Sequence, residues 1–354
     1  MTARARLGRL AELLSRPRRQ AQRWRTVEIP IAGLYSRGLP LTLPVHVLRG
    51  VEDGPVLLVC AAVHGDELNG VQIVRRLLVS KHLRGLRGTL LGVPVVNVLG
   101  FLHQSRYLPD RRDLNRSFPG RAQGSHAARL AHLFMTEVAS LATHAIDLHT
   151  GAVHRANLPH VRGDLDQPAV AEMAGAFGVP VMVHANVRDG SLRAAFHDAD
   201  RPALIFEAGE ALRVDPVAVR VGVHGVLRVM HALGMLERRP RALRSRIAPV
   251  LSRSTSWVRA PEGGVLTVRA HLGDRVAEGQ RLGTVGDPFG RRRVPVRSTR
   301  AGIVIGEARL PLVHEGDALF HIARAADDDA AGDALEAFQH EYALHPPSTG
   351  PASG

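Results

Sequence analysis

Cysteine occurs once in this 354-residue chain, at Cys60, which excludes an intramolecular disulfide and any thiolate metal cluster. Cys60 sits inside an apolar run, so it is expected to be an inert core thiol. Lysine also occurs once, at Lys81, and the formal net charge of +13 is therefore carried almost wholly by arginine. Nowhere is there an apolar run long enough to cross a bilayer, so no membrane partner is expected. The first 25 residues lack the continuous apolar segment of a secretory signal, which makes a cytoplasmic location the expectation. So strong a positive charge raises nucleic-acid binding. The arginines are scattered, however, with local excess at Arg16–Arg25, Arg238–Arg246 and Arg291–Arg293. No helix-turn-helix, zinc finger or aromatic stacking platform accompanies them, and this argues against a nucleic-acid partner.

What is present is the composition of an ordinary globular protein, 45% hydrophobic and 22% charged, in a chain long enough for two domains. Residues 1–25 read as a basic N-terminal arm. Thr26 to Leu48 alternate polar and apolar residues as half-buried strands do. Val56 to Val63 is continuously apolar and Val-rich, as a strand covered on both faces should be. It ends at His64-Gly65-Asp66-Glu67, before a helical pattern through Leu68, Val71, Ile73, Val74, Leu77 and Leu78. Further strands are expected at Thr89–Val98, Ala145–Leu148, Val179–Val183 and Ala203–Phe206. Helices are expected at Ser125–Leu141, Pro168–Phe177 and Val217–Leu233. This alternation predicts an α/β domain over residues 26–240, with a mixed, mostly parallel sheet flanked by helices and reactive groups at the carboxyl ends of its strands. From 250 to 325, short Val-rich segments broken by closely spaced glycines predict a small all-β sandwich or barrel. Residues 326–354, acidic and then Pro/Ser/Gly-rich, are expected to form a disordered tail.

Three segments carry candidate chemistry. His64 and Glu67, three apart at a strand-to-helix junction, can turn toward one point. Imidazole nitrogen and carboxylate oxygen suit zinc, and a catalytic site keeps three protein ligands. His149, in Ile146-Asp147-Leu148-His149-Thr150-Gly151, is the best third ligand, with Asp147 placed to support it. The plainer alternative makes Glu67 a helix-dipole residue and His64 a loop filler. The second segment runs from Ser105 to Gly120. Its arginines, including Arg106 and Arg116, can fork onto a carboxylate or an oxyanion and Asn115 can add a donor, unless the stretch is only a basic loop neutralised by Asp110 and Asp113. In the third, Ala203-Leu204-Ile205-Phe206-Glu207-Ala208-Gly209-Glu210, burial raises the pKa of Glu207 toward the range of a general base, with Glu210 as its competitor.

In this order, these segments resemble the succinylglutamate desuccinylase/aspartoacylase family of zinc hydrolases, relatives of the zinc carboxypeptidases. The resemblance runs by motif from about Val56 to Gly209, and the Gly-rich module from about Ser254 to Ala323 looks like the domain that accompanies it. It implies one zinc per chain, held by His64, Glu67 and His149, with water activated by Glu207 for attack on an amide carbonyl. It also implies that Arg106 polarises that carbonyl and that Asn115 and Arg116 bind a substrate carboxylate, with Arg193 as a further contact. The expected activity is deacylation of a small N-acyl amino acid. A peptide-cleaving carboxypeptidase and a non-catalytic binding protein on the same fold are the alternatives, and a homo-oligomer is left open. The spacing between Arg106-Tyr107 and Asp113-Leu114-Asn115-Arg116 is longer than in aspartoacylases. The module also resembles a biotinyl/lipoyl-like fold, but the lysine that such a carrier needs is missing.

Overall fold

The computed structural model describes residues 9–15, 24–31, 41–237 and 243–342. Of the basic arm it includes helix α1 (Arg9–Ser15), whose Leu10 is buried; the arm's residues 1–8 and 16–23 lie outside the described residues. Strands β1 (Trp24–Pro30) and β2 (Thr42–Arg49) pair antiparallel, and β2 buries Leu43, Val45 and Val47 in the alternation expected of them.

A strand-helix succession follows. It comprises β3 (Glu52–Ala61), α2 (Leu68–Leu78), β4 (Arg87–Val93), α3 (Val98–Leu102), α4 (His126–Glu137), β5 (His144–Gly151) and β6 (Arg155–Gly163). Then come α5 (Pro168–Phe177), β7 (Val181–His184), α6 (Leu192–His197), β8 (Ala203–Glu210), α7 (Pro216–Ala232) and β9 (Val250–Ser252). The sheet runs β1-β2-β4-β3-β5-β8-β6, parallel where β3 meets β4 and β5 and where β5 meets β8. Strand β6 runs against β8, and its last residues pair in parallel with β7, which in turn pairs with β9. One apolar layer holds Ile73 of α2, Val170 of α5 and Val226 of α7, and the other holds Leu10 of α1 and Leu130 and Phe134 of α4. The sheet is thus covered on both faces, the mixed α/β architecture expected.

Two strands read only weakly in the sequence. No strand is expected from the sequence at β6 or at β9, and β9, at residues 250–252, belongs to the sheet of the α/β domain rather than to the C-terminal module.

The module comprises β10 (Thr255–Arg259), β11 (Gly264–Val268), β12 (Arg275–Val276), β13 (Arg281–Gly286), β14 (Arg293–Arg297), β15 (Gly302–Ala308), β16 (Leu312–Val313) and β17 (Ala318–Ala323). Four strands, β14-β13-β11-β16, make a separate small sheet. The others extend the main sheet, because β15 pairs antiparallel with the start of β6 through Gly306↔Asn157 and is followed outward by β17 and β10.

The expectation of a disordered tail is corrected over α8 (Asp328–Tyr342), a helix that buries Ala331, Ala334, Leu335, Phe338 and Tyr342. These residues recur at helical spacing, and Asp328 and Asp329 in the first turn suit the helix dipole. The buried Arg228 of α7 anchors the helix: it pairs with Glu341, reaches the Tyr342 hydroxyl at 3.3 Å and donates to the Leu243 carbonyl at 2.8 Å. Residues 343–354 lie outside the described residues. Among the described residues, no helix is long and apolar enough to cross a membrane.

Candidate metal centre and active site

The site forms where β3 ends. Its last residues, Leu57 to Ala61, are wholly buried, and Ala62 then takes a left-handed φ of 49°, which turns the chain sharply out of the sheet. His64 follows. Gly65 must be glycine because a Cβ there would lie 1.9 Å from the backbone of Gly100. Gly70, on the first turn of α2, has the same role against the sheet: its Cβ would meet those of Ala61 and Leu148 at 2.7 and 2.8 Å. The absence of side chains at these two positions lets α2 settle directly over the β3/β5 edge, with Glu67 at its start.

Glu67 occupies the N-cap position of α2, yet its carboxylate makes no capping hydrogen bond. It turns instead into a buried cluster. Oε1 lies 2.7 Å from His64 Nδ1 and 3.3 Å from an Arg106 nitrogen, while Oε2 lies 2.9 Å from His149 Nδ1 and accepts from the Thr150 N–H at 2.9 Å. Its contacts thus go beyond those of a residue that merely starts a helix. The far nitrogens of both rings are held as well, His149 Nε2 by Asp147 at 2.8 Å and His64 Nε2 by Asp113 at 3.1 Å. A carboxylate behind each imidazole fixes its orientation and keeps the two Nδ1 atoms turned inward.

His64, Glu67 and His149, all buried, each present a ligand atom within 4.8 Å of the others. Two imidazole nitrogens and one carboxylate oxygen, backed by further carboxylates and open to a cavity, match the donor set of a divalent metal of zinc's character. Electrostatics point the same way. Burial pushes the Glu67 carboxyl up, but the two imidazoles outweigh it and hold it far below the usual carboxylate range. Burial lowers His149, but Asp147 and Glu67 raise it well above an ordinary histidine. So concentrated a set of negative oxygens is built to hold positive charge.

Beside the cluster opens a cavity of about 320 Å³ lined by His64, Glu67, His149, Glu207 and arginines from several elements. Glu207 stands on β8 opposite His149 of β5. Burial raises its carboxyl, against the opposing pull of His149 and Arg162, and Asn157 Nδ2 donates to its Oε2 at 2.9 Å. Glu210, the competitor, does not line the cavity and lies 3.4 Å from Arg213. Arg106 pairs with Asp113 at 2.9 Å, so the long loop between them closes on itself at the cavity rim. Asn115 is buried and accepts the Leu192 N–H of α6 at 2.9 Å, and Arg116 lines the cavity from an exposed position. Arg193 also lines the cavity, but its terminal nitrogens donate to the carbonyls of Ala185 and Asn186 at 2.6 and 2.7 Å, so most of its donor capacity goes to shaping that loop.

Several residues here escape the sequence motifs. Asp113 is one, weighed only as a loop counter-ion. Asn157 and Arg162 are carried on the weakly signalled β6. Trp257 and His321 come from β10 and β17 of the module, stack at 4.3 Å between ring centroids and 7° between planes, and line the cavity. Arg155 lies 5.3 Å over the Trp257 ring. Only the pairing of the module with β6 brings these rings to the site. Cys60, as expected, is buried, with burial first and Asp147 second pushing its thiol well up.

The mixed α/β sheet thus carries a His-Glu-His cluster and a cavity-lining glutamate at the carboxyl ends of its parallel strands. The family model of the succinylglutamate desuccinylase/aspartoacylase catalytic domain matches residues 53–233, just over half of the chain, and the chain belongs to that family. It is 27% identical over 314 residues to the N-alpha-acetyl-L-2,4-diaminobutyric acid deacetylase of Halomonas elongata, covering 85% of this chain and 91% of that one. Its fold is that of a succinylglutamate desuccinylase/aspartoacylase from Rhodobacter sphaeroides, with a TM-score of 0.77 at 24% identity over 88% of this chain and 98% of that one. It is also that of a product-bound ectoine utilization protein from Ruegeria pomeroyi, with a TM-score of 0.77 at 24% identity over 87% and 97% of the two chains.

Proposed function

We propose that this protein is a zinc-dependent amidohydrolase that removes the acyl group from a small N-acyl amino acid. The observation that carries the reading is the inward-turned pair of Nδ1 atoms of His64 and His149 around Glu67, with Glu207 half-buried on the wall of the adjoining cavity. The Halomonas relative's name supports deacylation as the reaction. The cavity, small and walled on one side by Trp257 and His321, favours a single N-acyl amino acid over a peptide.

Zinc held by His64, Glu67 and His149 would supply Lewis-acid chemistry, acidifying a water and polarising the scissile carbonyl. The chain's own residues supply the rest. Glu207, raised by burial, accepts the proton of the attacking water and returns it to the leaving amine. Asn157, bound to Oε2, fixes the carboxylate so that Oε1 is presented to the reacting atoms. Arg106 offers its guanidinium to the developing oxyanion, and Asp113 and Glu67 hold that group in place. Asn115, with Oδ1 committed to α6, keeps its amide donor for a substrate carboxylate, and Arg116 adds charge beside it.

The test is metal content by plasma mass spectrometry on wild type and His64→Ala, joined to a hydrolysis screen of N-acetyl and N-succinyl amino acids, including N-acetyl-2,4-diaminobutyrate. About one zinc per chain, lost with activity in the variant, is expected. A folded, metal-free wild type that stays inactive when zinc is added would overturn the proposal.

A further inference from the structure

A second group of metal-ligating side chains lies away from the His64 cluster. Strands β6, β7 and β9 pair in parallel and end together at Gly163, His184 and Ser252. Because β6 runs against β8, these ends stand at the end of the sheet opposite the His64 turn. Asp164 and Asp166 follow β6 in the short connection to α5, and His184 closes β7. One ligand atom from each of the three lies within 4.8 Å of the other two.

Hydrogen bonding does not account for this grouping. His184 Nε2 stands 3.8 Å from Asp166 Oδ2, beyond hydrogen-bond reach, whereas two atoms each about 2 Å from one ion lie about 3–4 Å apart. The other ring nitrogen, Nδ1, is buried without a partner, so among the described residues this imidazole, only 15% exposed, has no hydrogen bond on either nitrogen. Both carboxylates are oriented from behind. Arg253 donates to Asp166 Oδ1 at 2.9 Å, which leaves Oδ2 turned to His184. Asp164 accepts the Asp166 N–H at 3.4 Å on Oδ1 and Gln167 Nε2 at 3.3 Å on Oδ2, and His197 of α6 brings a second imidazole to 3.6 Å from Oδ2.

We propose that Asp164, Asp166 and His184 form a second metal site, for one divalent ion of the manganese class, and that this ion braces the loop after β7. Two carboxylates and one imidazole at a partly exposed place make a harder donor set than the His-Glu-His cluster, suited to an ion that keeps some of its waters. His184 leads directly into Ala185, whose N–H donates to the Gly163 carbonyl at 2.9 Å, and the carbonyls of Ala185 and Asn186 hold Arg193. An ion bound to Asp164 and His184 therefore ties together the two strand ends between which the loop departs, and that loop lines the cavity with Ala185, Asn186 and Arg188. The site shares no residue with the zinc ligands and stands independently of the deacylase reading.

The experiment titrates manganese chloride into zinc-treated wild type, Asp166→Asn and His184→Ala, freed of excess zinc, and reads the unbound ion by electron paramagnetic resonance. Plasma mass spectrometry follows zinc content through the titration, so that exchange at the His64 cluster is seen if it occurs. About one manganese per chain is expected in wild type, without loss of zinc. Both variants should bind it roughly tenfold or more weakly, since losing a direct ligand costs at least as much as losing a residue that supports one. Asp166 is 61% exposed, so Asp166→Asn keeps the fold and carries the test even if His184→Ala does not. Hydrogen exchange over residues 185–191 should slow on adding manganese to wild type and not to Asp166→Asn. Manganese bound no more tightly by wild type than by Asp166→Asn overturns the site, and tighter binding that leaves exchange over 185–191 unchanged overturns the brace. The difference between these two proteins reports on this site whether or not the His64 cluster carries zinc, so its failure is separate from any failure of the deacylase reading.

Discussion

Asp147 never touches the cavity, yet its loss should be felt at the metal. Its side chain is buried, with Oδ2 at 2.8 Å from His149 Nε2 and Oδ1 at 3.7 Å from the Cys60 sulfur. Water cannot substitute easily for it at so closed a place. Replacing Asp147 with alanine leaves a buried imidazole N–H without an acceptor, at a cost of about 1–3 kcal/mol, and frees the ring to rotate away from Glu67. If most of that cost falls on the metal-bound state, zinc affinity drops by roughly ten- to hundredfold. Asp147→Asn keeps the shape and an oxygen acceptor but gives up the charge. Since charge-assisted bonds are about twice as strong as neutral ones, the loss should be about half as large in free energy, or roughly three- to tenfold. Competition for zinc against a chromophoric chelator measures both variants, with circular dichroism to verify that the fold is kept. A folded Asp147→Ala protein with wild-type zinc affinity would refute the idea that the carboxylate behind His149 serves a metal.

Further expectations concern catalysis, pH and stability. Glu207→Gln should retain zinc and lose about 10²- to 10⁴-fold in kcat, the usual worth of a positioned base, and a smaller loss in steady-state kinetics removes Glu207 from that role. Because burial raises the Glu207 carboxyl and the base must be ionised, activity falls as pH drops through the raised pKa; the acid limb of kcat/KM should lie above that of an ordinary glutamate and vanish in Glu207→Gln. His160, lowered by burial from 6.5 to about 3, binds a proton more readily unfolded than folded, so its share of stability is complete above pH 6.5 and is lost as pH falls toward 3. His160→Asn should therefore flatten the acid slope of unfolding free energy by up to about 1.4 kcal/mol per pH unit in urea titrations. Glu341→Ala strands the buried charge of Arg228 and should cost about 3–5 kcal/mol, whereas Arg228→Met with Glu341→Ala should cost less than Glu341→Ala alone; additive losses in denaturation would count against the pairing.

The parts of the fold that were legible were those whose patterns had one cause. Val56 to Ala61 is apolar throughout because both faces are covered, and Pro168–Phe177 is a helix with proline in its first turn and a left-handed Gly178 after its end, so both ends can be read in advance. Strand β6 was not legible because polar residues on it, Arg155, Asn157 and Arg162, line the cavity, and a register shift between Asn157 and His160, next to Pro159, breaks the alternation. Helix α8 was hidden differently. Its periodic Ala331, Ala334, Leu335, Phe338 and Tyr342 were outweighed by acidic residues before them and by the Pro/Ser/Gly run after them, although acidic residues are what a helix start favours. In the site, residues at strand ends could be found because strand ends can be found, while Trp257 and His321 depend on a pairing between strands some 150 residues apart that no local pattern encodes.

That pairing makes the module part of the cavity wall rather than an appendage. Gly306 of β15 stands opposite Asn157 of β6, and a Cβ at position 306 would lie 3.0 Å from the His321 Cβ, 3.2 Å from Asn157 Oδ1 and 3.6 Å from the Trp257 ring. Gly306 therefore sits where three cavity walls meet, and even one methyl group must displace one of them by a few tenths of an ångström. The backbone of the paired strands cannot yield easily, so the displacement falls on Asn157, which holds Glu207, or on the aromatic wall. A misplacement of 1 Å at a reacting group costs on the order of 100-fold, so a shift of a few tenths should lower kcat by roughly fivefold to tenfold. Gly306→Ala is expected to show that loss with zinc content and melting temperature close to wild type. A Gly306→Ala enzyme with undiminished kcat would mean that Asn157 does not transmit strain to the base, and that the module bounds the cavity without positioning its chemistry.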